Sequence, residues 1–307
     1  MPRSLPVVLA SLLLLASASS AFSHDVDGLD CGRIVIDYGD APEGIPFFGP
    51  QGPVLGRYPT CLAPGAPGTQ ELFCAPRSTP PGPTGYMRNF NAAPSHYWLG
   101  CFDLPTIGLT GIDDDVDGKV GPPGGPSACS GGPTDVDVNL APNNFSQDES
   151  YADGDAGLAP NQVLVSCFGQ TLQFQTANCG NETTAYLNVL VDLNFDGDWN
   201  DNFDCSSVRP ASGCAYEWAV KNLAIAVGPG CQNHNTPPII GGPTPGQSWL
   251  RMTLTDEPVT DDFPWAGSAN QPTGEYAGGE TEDYLIYVTF PDAVKSSTWG
   301  RVKLLYR

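Results

Sequence analysis

Basic side chains are scarce in this chain of 307 residues: 13 Lys and Arg stand against 34 Asp and Glu, a formal net charge of -21. An anionic balance of that size repels phosphate backbones and excludes nucleic acid as a partner. Histidine is nearly missing, with only His24, His96 and His234, so few groups could activate a nucleophile near neutral pH. The chain has no C-x-x-C pair, no H-E-x-x-H, no G-x-S-x-G and no G-x-x-x-x-G-K-[ST]. Those gaps remove the usual zinc, hydrolase-elbow and nucleotide-loop signatures. No long stretch places apolar residues at i, i+3, i+4 and i+7, so helices are not expected. Beyond the first residues no run is long and apolar enough to span a bilayer. Disorder is excluded by the aromatic content, 6 Trp, 11 Tyr and 13 Phe, which can build a core that an acidic tail cannot.

The N-terminus has the pattern of an export signal. Arg3 precedes the apolar run 5–15, and the small residues Ala16-Ser17-Ala18 and Ser19-Ser20-Ala21 follow. This predicts a secretory signal peptide over residues 1–21, with a run too short for a membrane anchor. The mature chain is therefore expected to be secreted or at the cell surface, with no membrane span. Ten cysteines follow the signal: Cys31, Cys61, Cys74, Cys101, Cys129, Cys167, Cys179, Cys205, Cys214 and Cys231. An even count in an exported chain predicts disulfide bonds. Pairing of sequence neighbours gives Cys61 with Cys74, Cys167 with Cys179 and Cys205 with Cys214.

Strand signals are frequent. Residues 186–193 alternate, with Leu187, Val189, Val191 and Leu193 on one face, as do 249–255 with Leu250, Met252 and Leu254. Residues 284–290 set Tyr284, Ile286, Val288 and Phe290 against Leu285, Tyr287 and Thr289. Runs at 34–37, 163–168, 171–175 and two within 216–227 are further strands. Short strands punctuated by Gly, Pro, Asn and Asp predict a mainly β protein, an antiparallel β-sandwich with long Gly/Pro-rich loops. Residues 42–91 are dense in Pro, which lacks the ladder donor, and are expected to be loops pinned by Cys61 and Cys74. The expected organisation is a signal peptide (1–21), a Cys/Pro/Gly-rich N-terminal region with an acidic loop (22–184), a β-sandwich domain (185–290) and a basic C-terminal tail (291–307).

The strongest chemical signal is the run from Asp192 to Asp201. Oxygen-bearing side chains recur at every second position, Asp192, Asn194, Asp196 and Asp198, and Gly197 supplies a sharp turn. This is the first half of a twelve-residue calcium loop, and clustered hard oxygens suit calcium better than zinc or copper. Position twelve departs from that pattern: Phe203 stands where a bidentate Glu is expected, so a closing carboxylate must come from Asp201, Asp204 or a distant strand. Without an ion the same run reads as an Asx-rich turn. A second run with Asp113, Asp115, Asp117 and Gly118 repeats the spacing, either around a cation or as a solvated loop.

The segment Gly279-Glu280-Thr281-Glu282-Asp283-Tyr284 resembles the G-E-V-E-D-Y signature of the GEVED domain of secreted bacterial proteins, with Thr281 in the Val position. Asp37-Tyr38-Gly39-Asp40-Ala41-Pro42 is similar to the D-[FY]-G-D-A-P segment that often precedes it, and residues 113–118 and 186–201 resemble its acidic run and its strand-then-acidic-loop element. The resemblance implies a β-sandwich module of exported, often adhesin-like proteins, with no established reaction. Glu280 and Glu282 share one side of the last strand and Asp283 the other; Glu280 or Glu282 is expected to close the ion site if that strand neighbours Asp192.

The expected function is therefore a secreted or cell-surface, non-catalytic binding or structural module, calcium-stabilised and adhesin-like, whose partner is a surface protein or a glycan. The alternative is a glycan-binding protein or a carboxylate-dependent glycan hydrolase. For glycan binding, Trp98, Trp199, Trp218 and above all Trp265 are the stacking candidates if exposed, and core residues if not. Against catalysis, no Asp or Glu in an apolar run is expected to have a carboxyl raised toward neutral pH.

Overall fold

The computed structural model describes residues 35–39, 41, 43–49, 52–60, 64–91, 97–100, 157–159, 162–178, 180–209, 213–268 and 274–291. The expected signal peptide, Asp113, Asp115 and Asp117, and the tail beyond residue 291 lie outside them.

The fold is mainly β, a β-sandwich. Eight strands form its two principal sheets: β1 (Tyr97–Leu99), β2 (Val163–Val165), β3 (Gln173–Asn178), β4 (Thr184–Val191), β5 (Trp218–Ala226), β6 (Gly230–Asn235), β7 (Gly246–Thr255) and β8 (Thr281–Thr289). The larger sheet has the order β5-β4-β7-β8-β2 and the smaller β6-β3-β1. Pairing is antiparallel except for β8 with β2, which run parallel, so the larger sheet is mixed. The alternation of β4, β7 and β8 places Leu187, Val189, Val191, Leu250, Met252, Leu254, Tyr284, Ile286 and Val288 on one face. They form a single apolar cluster with Leu99, Leu158 and Phe174. Strands from both sides of residue 184 thus share one core. No helix among the described residues is long and apolar enough to cross a membrane.

The opposite face of the larger sheet is also buried. Leu190, Trp218 and Trp249 pack there with Tyr58, Met87, Phe195, Trp199, Phe263 and Tyr276 in a second apolar cluster. The cover comes from the Pro-rich region, which is irregular over 64–87 as expected but carries strands on either side of that stretch, where loops were expected over all of 42–91. Glu43–Gly49 pairs with Gly52–Arg57 as a hairpin. Arg88–Asn91 lies between Val35–Tyr38 and Tyr276–Ala277 in a small sheet. Pro46 and Pro53 are tolerated because an isolated two-stranded hairpin leaves one side of each strand without a ladder partner.

Two disulfides are present among the described residues, Cys74–Cys214 and Cys167–Cys205. They replace all three sequence-neighbour pairings. The sandwich brings cysteines 140 and 38 residues apart into contact, and chain proximity does not decide between partners once the fold is made.

At the centre of the second face lies an ion pair. Arg251 and Asp283 sit on neighbouring strands in register, both essentially inaccessible to solvent. Arg251 Nε donates to Asp283 Oδ1 at 2.7 Å and its Nη2 to Oδ2 at 2.5 Å. Its Nη1 reaches Pro59 O at 2.8 Å, and Asp283 Oδ2 also accepts from Ala41 N at 2.6 Å. Gly39 passes so close that a Cβ there would collide with the guanidinium. The segment around Gly39-Ala41 and the Gly279–Tyr284 segment, far apart in sequence, therefore meet on one buried pair.

Candidate metal centre

The acidic loop leaves the end of β4 and is shaped by its own side chains. Asp192 Oδ1 accepts from Phe195 N at 2.6 Å and its Oδ2 from Gly197 N at 3.0 Å. Asn194 Oδ1 then accepts from Asp196 N and Asp198 Oδ1 from Asn200 N, at 3.1 and 3.2 Å. Each of these Asx bonds bends the backbone back toward the preceding carboxylate. Gly197 turns at φ 96°, and a Cβ there would run into Leu55 O of the covering hairpin. Arg57 N donates to Gly197 O at 2.7 Å, which pins the hairpin to the loop. Gly197→Ala is expected to cost about 1–3 kcal/mol through its disallowed φ and this clash, read as a lowered midpoint in thermal unfolding. An unchanged midpoint would show that the loop does not depend on the turn.

The turn converges the carboxylates of Asp196, Asp198 and Asp201, whose oxygens lie within 4.8 Å of one another. Asp198 and Asp201 are buried and Asp196 is half-buried. A second chain segment closes over them. Thr69 N donates to Asp198 Oδ2 and Thr69 Oγ1 to Asp196 Oδ2, both at 2.8 Å. Glu71 N donates to Asp201 Oδ1, and Asn194 Nδ2 to Asp201 Oδ2 at 2.6 Å. Phe73 N and Cys74 N reach Asn202 Oδ1 at 2.9 and 2.5 Å, and the Cys74–Cys214 bond holds the segment down.

Sequence reasoning missed Glu217, which lies at the base of the loop. It is fully buried; its Oε1 accepts from Leu193 N and its Oε2 from Asp201 N, both at 2.8 Å. It clamps the two ends of the loop. The signal was present and contradicts the expectation of no such residue: Glu217 stands within the apolar run Ala215-Tyr216-Glu217-Trp218-Ala219. Tyr58 was missed as well; its hydroxyl donates to Asp192 Oδ2 at 2.7 Å.

So many carboxylates in so little water repel one another. Burial, then the charge of Asp196, pushes Asp198 up to about 8 and Asp192 up to about 7. Burial lifts Asp201 to about 7, against the opposing bond from Glu71 N. Glu217 is raised well above the carboxylate range by burial and then by Asp192. A bound cation reverses this balance by favouring the ionised forms. The surrounding donors are carboxylate, amide and hydroxyl oxygens, the set that a hard cation takes.

The candidates named from the sequence separate into groups. Asp196, Asp198 and Asp201 come together and Asn194 touches Asp201. Asp192 faces inward, and its oxygens serve Tyr58 and the backbone. Glu280 and Glu282 are not brought to the loop. Strand β7 lies between β4 and β8, a separation of about 10 Å at the usual strand spacing. In register Glu282 aligns through Met252 with Val189, short of Asp192, and Glu280 Oε2 accepts from Leu99 N at 2.6 Å. Phe203, at position twelve, packs in the apolar core. Trp98, Trp199, Trp218 and Trp265 are all buried, so none offers a stacking face to a sugar. The Gly/Pro segment covers Trp265, passing closest at Gly68 and Gly82.

No family model, no curated protein and no solved structure matches the chain.

Proposed function

We propose that this protein is an exported, non-catalytic surface or adhesion module of the GEVED kind, whose acidic loop binds calcium. The observation that carries the reading is the convergence of Asp196, Asp198 and Asp201 within 4.8 Å, built by an Asx-patterned loop and a distant capping segment. Asp196, Asp198 and Asp201 would hold the ion, with Asn194 and Thr69 beside them. Calcium suits an all-oxygen donor set that is irregular and drawn from flexible turns, whereas magnesium demands near-ideal octahedral geometry. When bound, the ion supplies positive charge that offsets the mutual repulsion of the carboxylates. Glu217 and Asp192 hold the loop backbone in place from beneath.

Two observations support the GEVED assignment. The Gly279–Tyr284 segment supplies Asp283 to the buried Arg251 pair, and Gly39 and Ala41 of the other motif pack on the same pair. Both motifs thus serve one structural joint, as expected of a scaffold signature. A binding rather than hydrolytic role is supported by how the loop's carboxylates are used: Asp192, Asp198, Asp201 and Glu217 all accept backbone N–H bonds. A general acid instead needs a protonated carboxyl facing its substrate.

Calorimetric titration of the chelated full chain with calcium chloride tests the reading. Binding should be measurable in the wild type and weakened at least tenfold in Asp198→Asn, since a charge-assisted ligand is lost. Absence of calcium binding in the folded wild type would remove the proposal.

A further inference from the structure

The smaller sheet carries a groove of about 400 Å³ on the part of the molecule formed by β3, β6 and residues 157–159. Register pairs Gln175 with Asn233 and Gln173 with Asn235 across β3 and β6. Side chains alternate along a strand, so these four amides share one face, opposite to Phe174, which lies in the core. The rim is fixed by main-chain bonds. Ala159 N donates to Gln173 O at 2.9 Å. Gln162 Oε1 accepts from Gln173 N, and Gln162 Nε2 donates to Ala159 O at 3.0 Å.

Two features set the chemistry of this groove. First, among the described residues no Lys, Arg, Asp or Glu lines it, although the chain as a whole carries a net charge of -21. His234, in register with Phe174, turns its ring to the opposite face, where it stacks on Phe174 and bonds Thr176 Oγ1 through Nε2 at 2.8 Å. Second, Gln175 Nε2 donates to Asn233 Oδ1 at 2.8 Å, and this leaves Gln175 Oε1 buried with no partner among the described residues. A buried acceptor without a donor is costly, and a ligand that brings a donor recovers that cost once the Gln175 amide turns out to meet it.

We propose that this groove is a binding site for a neutral saccharide, whose adjacent hydroxyls pair with the amides of Gln175 and Asn233. A hydroxyl both donates and accepts, and a carboxamide offers an acceptor oxygen beside a donor nitrogen, so the two match without any charge. A charged ligand entering here would shed water and gain no counter-charge. An apolar one would leave the amides unpaired. The site goes beyond the proposed calcium function and uses no residue of the acidic loop, so it operates without the cation.

The test is a titration of the full chain, kept in chelator, with the methyl glycosides of glucose, galactose and mannose, and with a sialylated trisaccharide as the charged control. At least one neutral glycoside should bind and the control should not. Gln175→Leu should weaken that binding at least tenfold, because a site built to pair a hydroxyl discriminates strongly once its partner is removed. Asn233→Ala, at an exposed position, should weaken it as well and provides a second variant if Gln175→Leu does not fold. The proposal is overturned if no neutral glycoside binds, if the charged control binds equally, if both variants bind like the wild type, or if binding appears only on adding calcium. Chelation separates this result from the fate of the acidic-loop reading.

Discussion

Arg251→Met is expected to destabilise the protein by about 3–5 kcal/mol, because it leaves the Asp283 carboxylate buried without its counter-charge. At the sensitivity usual for a chain of this size, that corresponds to roughly 10 °C in the thermal midpoint. The guanidinium serves more than one partner: two bonds go to Asp283, one to Pro59 O and one to Thr60 Oγ1 at 3.1 Å. Its central carbon also lies 4.7 Å from the ring centroid of Trp199, an aromatic residue of the acidic loop. Trp199 in turn lies 4.3 Å from the Tyr58 ring, and the Tyr58 hydroxyl holds Asp192. Loss of Arg251 should therefore loosen the loop as well as the strand pair. The double variant Arg251→Met with Asp283→Leu should cost less than the sum of the two single changes, since neither charge is then buried alone. Additive costs in thermal unfolding would mean that the two side chains do not act as a pair.

The strands of the larger sheet were legible because their cores are simple. Leu187, Val189 and Val191, and Leu250, Met252 and Leu254, alternate with polar residues and lie on one buried face. What alternation could not reveal is that the other face is buried too. Arg251, Thr253 and Asp283 have the composition of a solvated face, yet they are covered and hydrogen-bonded. Thr253 pairs with Thr281, while the further partners of Arg251 and Asp283 are Ala41, Pro59 and Thr60, from a region whose prolines argued for loops. The acidic loop was legible from its spacing, since Asp196 and Asp198 depend only on local turns. Its closure was not: Glu217, Thr69 and Glu71 arrive from elsewhere in the chain through tertiary contacts. Placing Glu280 and Glu282 at the site required β8 to neighbour β4, and β7 occupies that position. The disulfides were unreadable for the same reason, since Cys74 meets Cys214 only because residues 69–74 cap the loop.

Stability in the presence of chelator should fall as pH rises from about 5 to about 8, and calcium should reduce that fall. Asp192, Asp198 and Asp201 have folded-state values raised to about 7, 8 and 7, against about 3.9 for an unperturbed Asp. A group raised in this way binds its proton more tightly when folded. Its contribution is complete below the unfolded value and is lost as pH climbs through the folded one. Chelated protein should accordingly melt highest at the acid end of that window and lower on each step toward neutrality and beyond. A cation competes with the protons of Asp198 and Asp201 for the same oxygens, so its affinity should increase with pH, by about tenfold per unit for each proton displaced. Because the ion binds the assembled loop and not the unfolded chain, saturating calcium adds stability by mass action, and adds most where the chelated protein is weakest. Thermal unfolding at pH steps across this range, with calcium and with chelator, gives both curves. Parallel curves would show that the cation and the protons do not share Asp198 and Asp201.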